Sequence, residues 1–412
     1  MGYLSSNSNF PEEKEKKINY GNKDKSFKSG NAIFTSIPMN KNGVPEKDVL
    51  NDLAKIRSLD TPYEKVLSSM CTYPHPIAAL AHQDFLEANM GDPGLFKGTT
   101  ILEEKVIKLL GELSHKPDAC GYLSTGGTES NIQAIRAMKN CSNSKKPNVI
   151  LPQSAHFSFE KTANLTGVEM RRAKLDPDLR VSINSVEDLI DDNTIGLVGI
   201  AGTTEFGQID DIQRLSYIAE KNDLFLHVDA AFGGFVIPFL KKHYSYDFEV
   251  SGVSSITVDP HKMGLSTIPS GGLLFRDKTL FESLSVHTPY LTVRTQSSLT
   301  GTRSGAAVAA TYAVMTHLGM DGYQRIVDNC MEMTRDLVSG AKERGFSTVI
   351  NPVMNVVCLE TDFPEDLQNS LLSEYGWRVS VTHSPQSLRL VVMPHLSKDI
   401  ISEFLDDLAS LV

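Results

Sequence analysis

The sequence predicts an α/β protein: a large domain built on a mainly parallel sheet, followed by a small α+β domain at the C-terminus. Three observations carry this. Between about Gly121 and Asp277, short apolar runs of strand length alternate with amphipathic helical segments, as in parallel sheets with helices across their faces. Two of those runs, LFLHVDAA and SSITVDPHK, end in charged residues, as strands do when their carboxyl ends open on a ligand site. From about Gly319 the order changes to a long helix, several strand-like runs and a last helix, which reads as a separate α+β unit.

Residues 1–43 are rich in Ser, Asn and Lys and include the charged run PEEKEKK, so they are expected to form a mobile extension. Structure is expected to begin near Val44-Pro45-Glu46, where PEKDVLNDLAKIRSL places acidic residues in the first turn of a helix. Residues 44–318 are assigned to an N-terminal segment and the large domain. Within it NVILP, TIGLVGIAG, LFLHVDAA, SSITVD and GGLLFRD read as buried strands, and NIQAIRAMKN and IQRLSYIAEKN as the helices between them. Residues 319–412 are assigned to the small domain. It holds the helix DGYQRIVDNCMEMTRDLVSGAKERG, the strands FSTVI, NVVCLET, WRVSVTHS and SLRLVVM, and a helix after Ser397.

A chain of 412 residues is long enough for two cores, and 41% hydrophobic with 22% charged residues is ordinary for a globular protein. The net charge of -10 leaves no electrostatic footprint for nucleic acid or an anionic membrane. Five scattered cysteines without a CxxC pair suggest reduced thiols and no metal site. No early apolar stretch is long enough for a signal peptide or a membrane span, so a cytoplasmic protein is expected.

The chemistry concentrates at the ends of the apolar runs. Asp229 and Lys262 supply one carboxylate and one amine at two strand ends, the layout that pyridoxal 5′-phosphate (PLP) needs. The lysine forms a Schiff base with the cofactor aldehyde, and the carboxylate keeps the pyridine nitrogen protonated. Ala231 is small enough to leave room for the ring, and His261, beside the lysine, can contact the phosphate or move a proton. The run Ser124-Thr125-Gly126-Gly127-Thr128-Glu129-Ser130 precedes a helix expected to begin near Asn131, and its glycines free backbone N–H groups to hold a phosphate. It lacks the GK[ST] ending of a P-loop and the GxGxxG of a dinucleotide site. Thr203 and Thr204 end another strand on the same sheet edge. One of them can bind the cofactor or substrate, and either can cap the next turn. His156 suits the open face of a bound ring. Tyr290, in the polar loop HTPYLTVRT, can close over the site and donate a proton. Two arginines compete as anchor for the substrate carboxylate: Arg389 inside an apolar strand, and Arg303 in LTGTRSG.

With these positions in view, the chain resembles the group II PLP-dependent amino acid decarboxylases, and within them the archaeal branch acting on L-tyrosine and L-aspartate. The stretches that carry the resemblance include MCTYPHPIA, EANMGDPGLFKGT, STGGTESNIQAIRAMKN, AHFSFEK, GIAGTTEFGQID, HVDAAFGGFVIPFL, DPHKMG, PYLT, GTRSG and LRLVVMPH. They run from about Met70 to His395. The resemblance implies a fold-type I, aminotransferase-like large domain with a mainly parallel seven-stranded sheet, a small C-terminal domain, and a homodimer with active sites at the subunit interface. It implies that Lys262 is the Schiff-base lysine, Asp229 the partner of the pyridine nitrogen, His156 the histidine stacked on the ring, and Gly127 and Thr128 the phosphate cup. Tyr290 matches the mobile-loop tyrosine and Arg389 a carboxylate anchor. Asp-Pro-His before the lysine departs from the animal enzymes.

The reaction so implied is α-decarboxylation of an amino acid, giving tyramine for methanofuran synthesis or β-alanine for coenzyme A synthesis. Lys262 is displaced by the substrate amine, and Tyr290 or His156 governs the returning proton. Two alternatives stand beside it. One is a PLP-dependent Cα–Cβ lyase resembling sphingosine-phosphate lyase, and the other a non-catalytic member of the fold.

Overall fold

The computed structural model describes residues 42–411. The expected mobile extension over 1–43 therefore lies, but for its last two positions, outside the described residues. The chain divides after Asp60 into two compact units. The first contains helix α1 (Glu46–Arg57), with Glu46 and Asp48 in its first turn and Lys55 and Arg57 in its last. That charge order complements the helix dipole, and the helix starts where the sequence placed it.

The second unit opens with α2 (Pro76–Asp84) and α3 (Lys97–Leu113) and continues into the main sheet. Its strands and helices alternate as β1 (Cys120–Ser124), α4 (Gly127–Cys141), β2 (Asn148–Pro152), α5 (Ser158–Thr166), β3 (Glu169–Ala173) and α6 (Ile183–Leu189). Then come β4 (Thr194–Ile200), α7 (Ile212–Lys221), β5 (Phe225–Asp229), β6 (Val253–Val258) and β7 (Gly271–Phe275). The seven strands lie in the order β1-β7-β6-β5-β4-β2-β3. Only β7 is antiparallel to its neighbours, pairing so with both β6 and β1. The five apolar runs read as strands are β2, β4, β5, β6 and β7. The alternation rule found them because parallel strands covered on both faces are almost wholly apolar: every residue of β4 is buried, and Leu226, Val228, Ile256 and Val258 are 0–1% exposed. The edge strands β1 and β3, half-buried and carrying Cys120, Glu169, Arg171 and Arg172, lack that signal.

After α8 (Lys278–Glu282) a short hairpin, β8 (Val286–His287) and β9 (Thr295–Gln296), leads to α9 (Gly305–Glu343). Ser304 caps α9, its hydroxyl accepting from the Ala307 N–H at 3.1 Å. The expected helix from Asp321 is only its second half. The alanine-rich stretch from Gly305 is already helical, and Gly319 interrupts it at φ 55°, ψ -170°, a conformation open to glycine.

The small sheet has the order β10-β12-β11, all antiparallel, from β10 (Val356–Glu360), β11 (Ser380–His383) and β12 (Gln386–Val391). It packs with α10 (Pro364–Tyr375), and α11 (Lys398–Ala409), capped by Ser397, lies against α9 and α10. FSTVI, expected as a strand, makes only one bridge, Thr348 to Leu359, before Asn351-Pro352 ends the pairing. The segment before α2 joins this sheet: Leu67 N–H donates to Arg378 O at 2.8 Å and Val391 N–H to Leu67 O at 2.7 Å.

Trp377, the chain's single tryptophan, is fully buried edge-on to Phe404 with 5.4 Å between ring centroids. Its indole N–H donates to Asp407 Oδ2 at 2.7 Å. Phe404→Ala empties that site and is expected to destabilise the fold by about 3–5 kcal/mol. Denaturant unfolding followed by Trp377 emission reads this directly, and an unchanged midpoint would mean that α11 does not depend on the pair.

Candidate active site

Because β4, β5 and β6 run parallel, their carboxyl ends open on the same side of the sheet, and the β1–α4 turn arrives there too. A cavity of about 370 Å³ lies at that junction, within the size range of small-molecule sites. Gly126, Gly127, Thr128, Asn131, His156, Thr204, Asp229, Ala231, Asp259, His261 and Lys262 are on its wall.

The turn comes first. Gly126 has φ 150°, and α4 begins at Gly127, four residues before the position expected from sequence. Thr128 and Glu129 therefore belong to the first turn, whose N–H groups have no intrahelical acceptor and carry the positive end of the helix dipole. Glu129 closes the turn: its carboxylate accepts from the Thr125 N–H (2.9 Å), the Thr125 hydroxyl (2.7 Å) and the Tyr122 hydroxyl (2.8 Å). A methyl group on Gly127 would stand 2.9 Å from Asp259 Oδ2 and 3.1 Å from Ala231 Cβ, so the close approach requires glycine.

On the opposite side, Lys262 Nζ lies 3.3 Å from Asp259 Oδ2, which is also 3.7 Å from His261 Nε2. The His261 Nδ1 accepts from the Ser270 N–H at 3.3 Å, which turns Nε2 towards the carboxylate. The other Asp259 oxygen, Oδ1, is buried with no hydrogen-bond partner. Asp259 was quoted in the DPHK run but given no role by sequence reading; its position three residues before the lysine was the available signal.

Asp229, 6% exposed, ends β5. Its Oδ1 accepts from the Ala231 N–H at 3.0 Å and its Oδ2 from the Asn131 amide at 2.8 Å. Behind Asn131 stands His227, fully buried, with Nε2 3.0 Å from Asn131 Oδ1 and Nδ1 2.9 Å from Ser255 Oγ. Neither Asn131 nor His227 was singled out from sequence, since both read as core positions of a helix and a strand. His156 faces the same cavity, its Nδ1 accepting from the Ser158 N–H at 3.2 Å and its ring 3.9 Å from that of Phe157. Burial pushes the His156 imidazole below its ordinary value, with the Asp229 charge pulling the other way.

Four of the sequence candidates stand elsewhere. Thr203 is fully buried, its hydroxyl accepting from the Gln208 N–H at 3.0 Å in the turn after β4, and it is Thr204 that borders the cavity. Tyr290, in the loop between β8 and β9, is 86% exposed and is not on the cavity wall of its own chain. Arg303 is not on the cavity wall: Glu103 holds its guanidinium through both Nη atoms, and Nη1 also donates to Leu123 O at 2.9 Å. Its charge is already paired by that carboxylate. Arg389 differs. It is 6% exposed and donates only to uncharged groups, Thr204 O (2.6 Å), Ser68 O (2.9 Å) and Ser380 Oγ (3.2 Å).

The set fits a phosphorylated aldehyde with a basic ring nitrogen: a primary amine for the aldehyde, a buried carboxylate for the nitrogen, and a helix N-terminus behind a glycine turn for the phosphate. Comparison with known proteins agrees. The sequence model of the pyridoxal-dependent decarboxylase conserved domain matches residues 96–361. A probable L-tyrosine/L-aspartate decarboxylase of Methanosarcina barkeri is 57% identical over 388 residues, 90% of this chain and 98% of that protein. Among solved structures, the sphingosine-1-phosphate lyase of Burkholderia pseudomallei superposes with a TM-score of 0.82 at 28% identity, covering 92% of both chains. The glutamate decarboxylase of Lactobacillus brevis superposes with a TM-score of 0.83 at 25% identity, covering 92% of this chain and 94% of that one. The fold is thus the fold-type I architecture with a small C-terminal sheet domain.

Burial pushes the His227 ring from 6.5 down to about 4. The unfolded ring takes up a proton below pH 6.5 and the folded ring only near pH 4, so its contribution to stability is complete above pH 6.5 and is lost as the pH falls towards 4. His227→Gln is expected to flatten this part of the stability profile, with a difference of about 3 kcal/mol at the acid end. Denaturant unfolding at successive pH values gives both curves; parallel curves would mean that the buried ring titrates normally.

Proposed function

The chain belongs to the pyridoxal-dependent decarboxylase family and is a PLP-dependent amino acid decarboxylase; from that premise we propose that it decarboxylates L-tyrosine, L-aspartate or both, releasing tyramine or β-alanine. The observation that carries this reading is the meeting of Asp229, Lys262 and the α4 N-terminus on one cavity. The printed activity of the Methanosarcina barkeri relative supports the choice of substrates.

Bound in this cavity, PLP supplies an electron sink for the pair released at Cα. The chain's own residues do the rest. The first turn of α4, with Gly127 and Thr128, holds the phosphate, and His261 lies beside it. Asp229 accepts the pyridine N–H and keeps that nitrogen protonated. Lys262 would hold the cofactor aldehyde through its amine, and Asp259, 3.3 Å from Nζ, would be the partner of that amine when it is not so engaged. His156, held neutral by its burial, borders the same cavity. Arg389 is not itself on the cavity wall, but its Nε donates to Thr204 O at 2.6 Å, and with no carboxylate among its partners it is the group that would take a substrate carboxylate from the Thr204 side.

Tyr290 completes the site from a second copy of the chain. Its 86% exposure on the loop between β8 and β9 supports insertion into a neighbour, as a homodimer with sites at the interface would require. There its hydroxyl returns the proton to Cα. Among the described residues no helix is long and apolar enough to cross a membrane, and we place the enzyme in the cytoplasm, supplying methanofuran and coenzyme A synthesis.

The product test uses purified protein with PLP and equimolar tyrosine, aspartate and glutamate, with amines identified by mass spectrometry. Tyramine or β-alanine is the expected product. No amine from any of the three, with the cofactor still bound as an imine, would favour the lyase reading suggested by the Burkholderia pseudomallei structure. Tyr290→Phe is expected to keep the cofactor colour and to lower amine formation by about 10²-fold or more. Mixing it with Lys262→Ala, each inactive alone, should regenerate activity in the hybrid dimer. Unchanged amine yield from Tyr290→Phe removes the tyrosine from the reaction.

A further inference from the structure

Asn131 has no direct part in the chemistry described above, yet its carboxamide is hydrogen-bonded on every side. Nδ2 donates to Asp229 Oδ2 at 2.8 Å and to Ser158 Oγ at 3.0 Å. Oδ1 accepts from Thr257 Oγ1 at 2.9 Å and lies 3.0 Å from His227 Nε2. These four contacts are the full capacity of the group. Asn131 is 1% exposed, and Ser158, Thr257 and His227 are fully buried, so no water competes.

A carboxamide can sit in two orientations, and only one serves Asp229. Turned by half a rotation, Asn131 would set its oxygen against the carboxylate, two acceptors with no proton between them. The carboxylate, which can only accept, holds Nδ2 on its own side and so leaves Oδ1 facing Thr257 Oγ1 and His227 Nε2. With Oδ1 as acceptor, Nε2 is the donor of the ring, and the Ser255 hydroxyl, 2.9 Å from Nδ1, meets its other nitrogen. Among the described residues Asp229 has one other protein donor, the Ala231 N–H at 3.0 Å. Half of the protein's hydrogen bonding to this anion therefore passes through Asn131.

We propose that Asn131, backed by His227, is a positioning residue for decarboxylation: its amide fixes the Asp229 carboxylate as the partner of the cofactor's ring nitrogen. A buried carboxylate that loses a donor is easier to protonate, and a protonated Asp229 cannot hold the ring nitrogen in its cationic form. Asn131 lies on α4, the same helix whose N-terminus faces the phosphate. One rigid element thereby sets the distance between the two ends of the cofactor site. The inference rests on the assignment of Asp229 made under the proposed function.

The test compares two cofactors in one protein. Apoenzyme is titrated with PLP and with its deaza analogue, in which CH replaces the ring nitrogen, and the ratio of the two affinities is taken. Wild type is expected to prefer PLP. Asn131→Leu, of similar size but with no donor, is expected to lower that preference by about tenfold or more. If this variant does not fold, Asn131→Asp, nearly identical in shape, reads the same ratio with the same expected fall. Equal weakening of both cofactors, with the ratio kept, would make Asn131 a structural residue and overturn the inference. A wild type without preference would overturn the assignment of Asp229 instead, so the two failures are told apart.

Discussion

Burying the Asp229 carboxylate at the end of β5 costs several kcal/mol unless donors and a cation meet it there, and much of the site is arranged to satisfy that requirement. The Ala231 N–H and the Asn131 amide supply the donors within the protein. Under the proposed function, the remaining cation is the protonated ring nitrogen of the cofactor. The fold therefore carries an electrostatic demand that the ligand meets, so holding the cofactor and protonating it are the same interaction. Strand β5 lies at the centre of the sheet between β4 and β6, which fixes the carboxylate as firmly as any point in the molecule.

A second anion shapes the opposite wall. Asp259 meets Lys262 at 3.3 Å and keeps one buried oxygen without a partner. Its nearness to Gly127, where a Cβ would come within 2.9 Å of Oδ2, links the lysine side of the cavity to the phosphate side. The two walls are thus joined through backbone that tolerates no side chain, and the cavity is held between β6 and α4 rather than by loops alone.

The two buried arginines show how partners, not burial, separate structural from functional charge. The Arg303 side chain is enclosed with Glu103, which neutralises it, and the Tyr122 ring covers it at 5.1 Å. Arg389 is as deeply buried, yet its hydrogen bonds end on carbonyl and hydroxyl oxygens. An unpaired guanidinium is costly in the interior, which is the reason to assign the substrate carboxylate to Arg389.

The alternation of strands and helices, the five interior strands, and the placing of Gly127, Thr128, His156, Asp229, Ala231, His261 and Lys262 on one cavity were legible in the chain itself. Each depends on local information: runs of apolar residues mark doubly covered strands, and a charge directly after such a run marks a strand end. The edge strands β1 and β3, the reversed direction of β7 and the first half of α9 were not legible, since partial exposure and alanine-rich sequence carry no distinct periodicity. Pairing was the larger gap. Glu103 claims Arg303 across 200 residues, and Asn131 joins Asp229 across 98. Tyr290, which its motif places in an active site, stands outside the cavity of its own chain. Which charge meets which partner is set by distances in the folded state, and only the tertiary structure brings those distances into being.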